Sequence, residues 1–197
     1  MSEAIRDDAV QGGAIQAGAV AGEEARDGTV PQPDPVMAEI GRGMELGQRG
    51  ERDAARRVFA GIWDRTGADG DPFHICALAH YMADVQDDPE EELVWDLRAL
   101  EAAGRVSDER AESAGVTSPV AAFYPSLHLN LGDVYRRLGE PALAREQLAR
   151  GRDAVGTLGD DGYGQLVRGG LDRLAERLDA QSDARLDETD AVGSSGE

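Results

Sequence analysis

Apolar residues recur at helical spacing in segments that glycine and proline separate. Within residues 35–178, hydrophobic side chains stand three or four positions apart, as in Val36, Ile40 and Met44. This spacing places side chains on one face of an α-helix. No segment shows the alternation that is typical of a β-strand. The sequence therefore predicts an all-α chain of short helices that bury their apolar faces against one another.

The predicted helix boundaries favour helices arranged in pairs. Asp71 and Asp88 each precede a proline, which combines a side-chain N-cap with a residue that suits the first helical turn. Gly50 and Gly139 each follow an apolar run and are expected to end a helix. The pattern predicts antiparallel helix pairs joined by tight turns, with a four-helix-type bundle as the alternative packing.

Two acidic segments flank the predicted helical domain at residues 35–178. Residues 1–34 are rich in Gly, Ala, Gln and acidic residues, and residues 179–197 are acidic and end in Gly-Ser-Ser-Gly-Glu. Such segments bury too little apolar surface to offset the entropy of an ordered chain, so both are expected to be disordered. Residues 105–123 form an insertion in which Ser107 is expected to start a short helix.

The composition is strongly acidic, which limits the class of partner. The chain carries 39 acidic residues against 20 arginines and no lysine, for a net charge of −19. This charge repels nucleic acid and anionic membranes, and a basic protein or peptide is the electrostatically favoured partner. An acidic surface that only keeps the protein soluble is the alternative.

The composition also bears on location and source. Residues 14–21 are too short and too interrupted by glycine to form a signal sequence or a membrane span, so a cytoplasmic location is expected. Lysine does not occur and asparagine occurs once, at Asn130. This scarcity of residues with AT-rich codons suggests a high-GC genome, such as that of an actinobacterium.

One segment, residues 126–156, resembles a tetratricopeptide repeat (TPR). That family pairs two helices, with a Leu-Gly pair and a tyrosine in the first helix and small residues in the second. Gly132 is expected to let the two helices cross closely opposite Ala144. The residues that match the pattern are Leu131, Gly132, Tyr135, Gly139, Ala144, Leu148 and Gly151. A weaker upstream copy contains Gly43, Leu46, Gly50, Ala55 and Phe59.

The resemblance implies both a fold and a function. The implied fold is a short right-handed TPR-like solenoid of stacked helix pairs with a C-terminal capping helix. The implied function is that of an adaptor or scaffold that binds a protein or peptide on its concave face, without a cofactor and without catalysis. The residues that the family register places on this face are Met37, Ile40, Met44, Phe73, Cys76, His80, Asp84, Leu129, Asp133 and Arg136.

Two other functions stay open at this point. His74, Cys76 and His80 lie within seven residues, and such side chains could hold a metal ion or activate the thiol in a protein acting on a small molecule. A metal site needs three or four ligands, however, and a single additional histidine, His128, stands elsewhere in the chain. We therefore expect no metal site and no enzyme. Self-association into a structural homo-oligomer is the third hypothesis.

Overall fold

A computed structural model describes residues 34–193, with side chains as far as Asp183. Within this range the chain is all-helical and contains no β-strand, as predicted. The α-helices are α1 (Pro35–Gln48), α2 (Arg52–Thr66), α3 (Pro72–Asp84), α4 (Pro89–Ala103), α5 (Asp108–Ser113), α6 (Tyr124–Arg137), α7 (Pro141–Ala154) and α8 (Gly162–Gly193). Two short 3-10 helices, Val120–Phe123 and Val155–Thr157, precede α6 and follow α7.

Aspartate side chains cap the N-terminal ends of three of these helices. Asp34, Asp71 and Asp88 each accept hydrogen bonds from backbone N–H groups in the first turn of α1, α3 and α4, and each precedes a proline. These bonds satisfy donors that have no partner inside the helix. Asp34 is therefore part of the helical domain. The predicted disorder of the preceding arm concerns residues that lie outside the described range.

The first and third helix pairs have matching boundaries. Helices α1 and α6 begin at residues 35 and 124, and their partners α2 and α7 begin at residues 52 and 141, so both offsets are 89 residues. In the two turns, Gly50 and Gly139 adopt φ of 78° and 80°. The backbone N–H groups of Glu51 and Glu140 then donate to carbonyls five residues earlier, both at 2.9 Å. These turns confirm the predicted glycine stops.

Helix α3 occupies the centre of the core. Ten of its residues are buried, and α3 packs against α1, α2 and α4. Its apolar residues cover the whole circumference rather than one stripe, as expected for a helix that neighbours enclose. On the outer side of α2 and α4, Trp63 and Trp95 stack edge to face, and the Arg98 guanidinium lies over both rings.

Helix α8 covers the third pair by packing on both α6 and α7. A Cβ atom on Gly132 would lie 2.6 Å from Leu174 Cδ2 and 3.5 Å from the carbonyl oxygen of Ala144. Gly132 therefore lies opposite Ala144, as predicted, and it also allows a closer approach by Leu174 of α8, which the repeat pattern did not indicate.

The predicted end of the domain at Leu178 also needs correction. Helix α8 continues to Gly193, through residues that were expected to be a disordered tail; residues 194–197 lie outside the described range. No proline or glycine interrupts residues 179–192. Arg145 of α7 donates to the Leu178 carbonyl and to Ser182 Oγ at 3.1 and 2.8 Å, which fixes the first turn beyond Leu178.

The insertion forms the predicted short helix. Ser107 caps α5 through a bond from the Arg110 N–H to its side chain, and Gly115 follows with φ of 84°. The chain then turns back, because the Val120 N–H donates to Asp108 Oδ1 at 2.8 Å. Val120 and Phe123 are buried in the core.

Candidate functional site

A small pocket opens where α1 and α3 end and α2 begins. It contains about 50 Å³ of free space, far less than the roughly 300–1,000 Å³ of a typical small-molecule site. Its size suits one side chain rather than a cofactor. The lining residues are Met44, Gly47, Gln48, Arg52, Phe59, Tyr81, Asp84 and Val85.

Two glycines in α1 create the space around the pocket. A Cβ atom on Gly43 would lie 2.3 Å from the ring of Phe59, so only glycine lets this buried ring pack against α1. A Cβ on Gly47 would approach Val85 Cγ1 to 3.3 Å, which means that a side chain there would begin to fill the pocket. The aromatic floor and the opening therefore depend on the absence of side chains at these positions.

Arginines of α2 stabilise the C-terminal end of α3 next to the pocket. Arg52 donates to the carbonyls of Asp84 and Gln86 at 3.1 and 2.6 Å, and its Nε donates to Asp87 Oδ1 at 3.2 Å. Arg56 also donates to Asp87, at 2.9 Å. Burial raises the pKa of the Asp87 carboxyl, but Arg56 and Arg52 outweigh burial and hold this pKa below its ordinary value.

A row of polar side chains continues from the pocket across α6 to α8. Asn130 donates to Asp84 Oδ1 at 3.2 Å. Asp133 accepts from Arg136 and Arg137 at 2.9 and 3.1 Å, and Arg177 of α8 lies 3.6 Å from its carboxylate. These interactions connect the pocket-side ends of the second and third helix pairs.

Asp96 is buried beneath this row. It is 1% exposed, and among the described residues no hydrogen bond of normal geometry reaches either of its carboxyl oxygens. Burial, followed by the charges of Glu92 and Asp84, raises the pKa of Asp96 well above its ordinary value, while the amide of Asn130 lowers it by less. We infer that Asp96 is held in its protonated, neutral form in the folded protein.

The structure divides the residues predicted for the concave face between the pocket region and the core. Met44 and Asp84 line the pocket, and Asp133 and Arg136 form an ion pair in the adjacent row. The family register assigned a single open face to helices whose centre, α3, is enclosed on all sides. The predicted residues that are instead buried in the core are Met37, Ile40, Phe73, Cys76, His80 and Leu129.

The structure places His74 in different surroundings from the other two residues of the metal or thiol hypothesis. His74 Nε2 lies 2.6 Å from Asp34 Oδ2 and 3.1 Å from Arg110 Nη2, whereas Cys76 and His80 are in the core. Burial lowers the pKa of His80 to about 4. Within residues 34–183, no group of three or more His, Cys, Asp or Glu side chains could hold a metal ion.

The thiol of Cys76 is expected to be unreactive in the folded protein. Burial raises its pKa to about 12, so little of the nucleophilic thiolate exists near neutral pH. Ellman's reagent at neutral pH should give almost no colour with native protein and about one thiol per chain after unfolding in guanidinium. Fast stoichiometric reaction of the native protein would revive the thiol hypothesis.

The His74 contacts belong to a network that sequence reasoning missed. Arg110 Nε donates to Asp71 Oδ2 at 2.6 Å, its Nη2 lies 3.2 Å from Asp34 Oδ2, and its guanidinium covers the ring of Phe73. The network ties the insertion to the N-terminal ends of α1 and α3. The pocket is at the other end of α3, about 20 Å away for a 13-residue helix. The insertion therefore attaches at the end of α3 that is remote from the pocket.

Comparison with protein-family models, with curated proteins and with solved structures returned no significant match. The class that the structure defines is an all-helical protein in which helices pack in consecutive pairs. None of the helices in the described part is long and apolar enough to cross a membrane.

Proposed function

We propose that this protein is a TPR-like adaptor that binds a segment of a partner protein or a peptide. The observation that carries the proposal is the pocket between α1 and α3, which has room for one side chain and walls of mixed character. Met44 and Tyr81 supply apolar and aromatic surface in front of the fully buried Phe59, and Gln48 and Asp84 supply polar groups. Aromatic and polar groups around a small cleft are typical of anchor sites in protein interfaces.

The order of helix contacts supports a TPR-like arrangement. Helix α3 packs against both members of the first pair, α6 packs against α4, and α8 packs against both members of the third pair. In a stack of helix pairs, each new first helix contacts the pair before it, and a final helix covers the exposed edge. The first helices would then be α1, α3, α6 and α8, and they would share one face. The pocket and the polar row together include side chains from all four of these helices.

A site-specific photo-crosslink tests this proposal. Benzoylphenylalanine is introduced at Gln48, an exposed residue at the rim of the pocket, and in a control protein at Gln165, an exposed residue early in α8. After irradiation in an extract of the source organism, we expect a defined adduct with another protein at position 48 and not at position 165.

Two results would contradict the proposal. One is equal adducts at both positions, and the other is no adduct at position 48, whether or not position 165 gives one. An adduct at position 48 with the mass of a second 20.9-kDa chain would support the self-association hypothesis instead.

A further inference from the structure

Two helices direct their C-terminal ends at the pocket. Gln48 is the last residue of α1 and Asp84 is the last residue of α3, and both line the pocket. Neither helix has a basic residue in its own last turn. A helix C-terminus carries partial negative charge and favours a cation, so the convergence of two such ends gives the pocket a negative character before side chains are considered.

An acidic side chain reinforces this character. The carboxylate of Asp84 is in the wall, with one oxygen accepting from Asn130. In the adjacent row, Arg136, Arg137 and Arg177 neutralise Glu92 and Asp133, so the local negative charge comes from Asp84. The chain as a whole has a net charge of −19. A cation that approaches the pocket is therefore attracted both locally and at a distance.

The apolar walls fit the stem of a long basic side chain. Met44 and the accessible edge of Tyr81 can contact the methylene groups of arginine or lysine, while the charged head lies near Asp84 and the helix ends.

Among the described residues that line the pocket, Arg52 is the one cation, and its guanidinium already makes hydrogen bonds. Its donors go to the carbonyls of Asp84 and Gln86 and to the carboxylate of Asp87. An anionic ligand would have to compete with Asp87 for this guanidinium and would face two helix C-termini. The wall thus disfavours a carboxylate or phosphate.

We propose that the pocket selects a cationic side chain, arginine or lysine, from an extended or helical segment of the partner. The inference rests on the proposed binding function and specifies its chemistry. Charge complementarity between the helix ends, Asp84 and the ligand is the basis of the selection.

The probe is a randomised 12-residue peptide library displayed on phage, selected against the full-length protein. Gln48→Arg places a cation from the protein's own chain at the pocket; it also suits the C-terminal end of α1, so the variant is expected to remain folded. Gln165→Arg makes the same charge change at an exposed position early in α8. Enriched peptides are then titrated against all three proteins, together with versions in which citrulline replaces arginine.

We expect enriched peptides to contain arginine or lysine. Gln48→Arg and the citrulline peptides should weaken binding about tenfold or more, as expected for like-charge contact or loss of the charge at an interface, and Gln165→Arg should change it little. If the enriched peptides have no basic residue and Gln48→Arg still weakens their binding, the charge selection is overturned but the pocket is retained as a binding site. No enriched peptide, or binding that Gln48→Arg leaves unchanged, would overturn both proposals.

Discussion

Gly132→Leu is expected to destabilise the fold by about 3 kcal/mol or more, at or above the upper end of the usual effect of overpacking a core. Glycine is required at this position because α6 meets α7 and α8 there. A Cβ alone would lie 2.6 Å from Leu174 Cδ2, and Leu174 is a core residue that is 1% exposed. The remaining atoms of leucine would force α8 away from the third helix pair.

A second glycine provides a matched control for this substitution. Gly41 lies in α1, and a Cβ there meets nothing within 4 Å. Gly41→Leu should therefore leave stability unchanged or raise it by up to about 1 kcal/mol through helix propensity. Urea unfolding followed by the fluorescence of Trp63 and Trp95 measures both effects. Equal stability of the two variants would show that α8 does not pack on α6 as described.

Asp96→Asn is expected to stabilise the folded protein at neutral pH by up to about 1.4 kcal/mol for each unit by which burial raises the pKa of the carboxyl, because asparagine is neutral without taking up a proton. The wild-type carboxyl is surrounded by the like charges of Glu92 and Asp84, and no hydrogen bond of normal geometry reaches it among the described residues. The asparagine amide keeps nearly the same shape, cannot ionise, and places a donor beside these carboxylates.

The stability gain from Asp96→Asn should increase with pH. Because the folded-state pKa of Asp96 is raised, the folded protein retains a proton that the unfolded chain loses above about pH 3.9. The contribution of this bound proton to the free energy of unfolding is fully present below that pH. It is lost as pH rises toward the folded-state pKa, by up to about 1.4 kcal/mol per pH unit.

Other groups titrate in the same pH range, so the comparison between proteins is essential. Burial lowers the pKa values of His80 and His128, which makes the wild-type protein more stable as pH rises toward about 6.5. Subtracting the wild-type curve from the variant curve removes this contribution. Asp153→Asn, on the exposed side of α7, is the control and should show no pH-dependent gain. An Asp96→Asn variant that is less stable at every pH would mean that Asp96 is ionised and hydrogen-bonded.

Local features of the fold were predictable because they depend on neighbouring residues. An aspartate before a proline starts α3 and α4, and a glycine with positive φ ends the turns at Gly50 and Gly139. The insertion helix was predictable from Ser107 for the same reason. Cap and turn chemistry is determined within a few positions of the chain, so the sequence reveals it directly.

The arrangement of the candidate site was less predictable because it depends on contacts between distant segments. The pattern of α3 shows that the helix is apolar, but the enclosure of Cys76 and His80 depends on which neighbours cover each side. The pairing of Arg110 with Asp34 joins residues 76 positions apart. Of the predicted concave residues, Met44 and Asp84 reached the pocket because they lie in the last turns of α1 and α3, beyond the enclosed centre.

Methyl NMR of methionine-labelled protein tests the pocket as a binding site most directly. The chain has four methionines, and Met44 lines the pocket whereas Met37 and Met82 are buried in the core. On titration with an arginine-containing peptide enriched in the selection, the Met44 methyl signal should shift to saturation while those of Met37 and Met82 change little. A peptide that binds, as judged by calorimetry, without moving the Met44 signal would contradict the assignment of this pocket as the binding site.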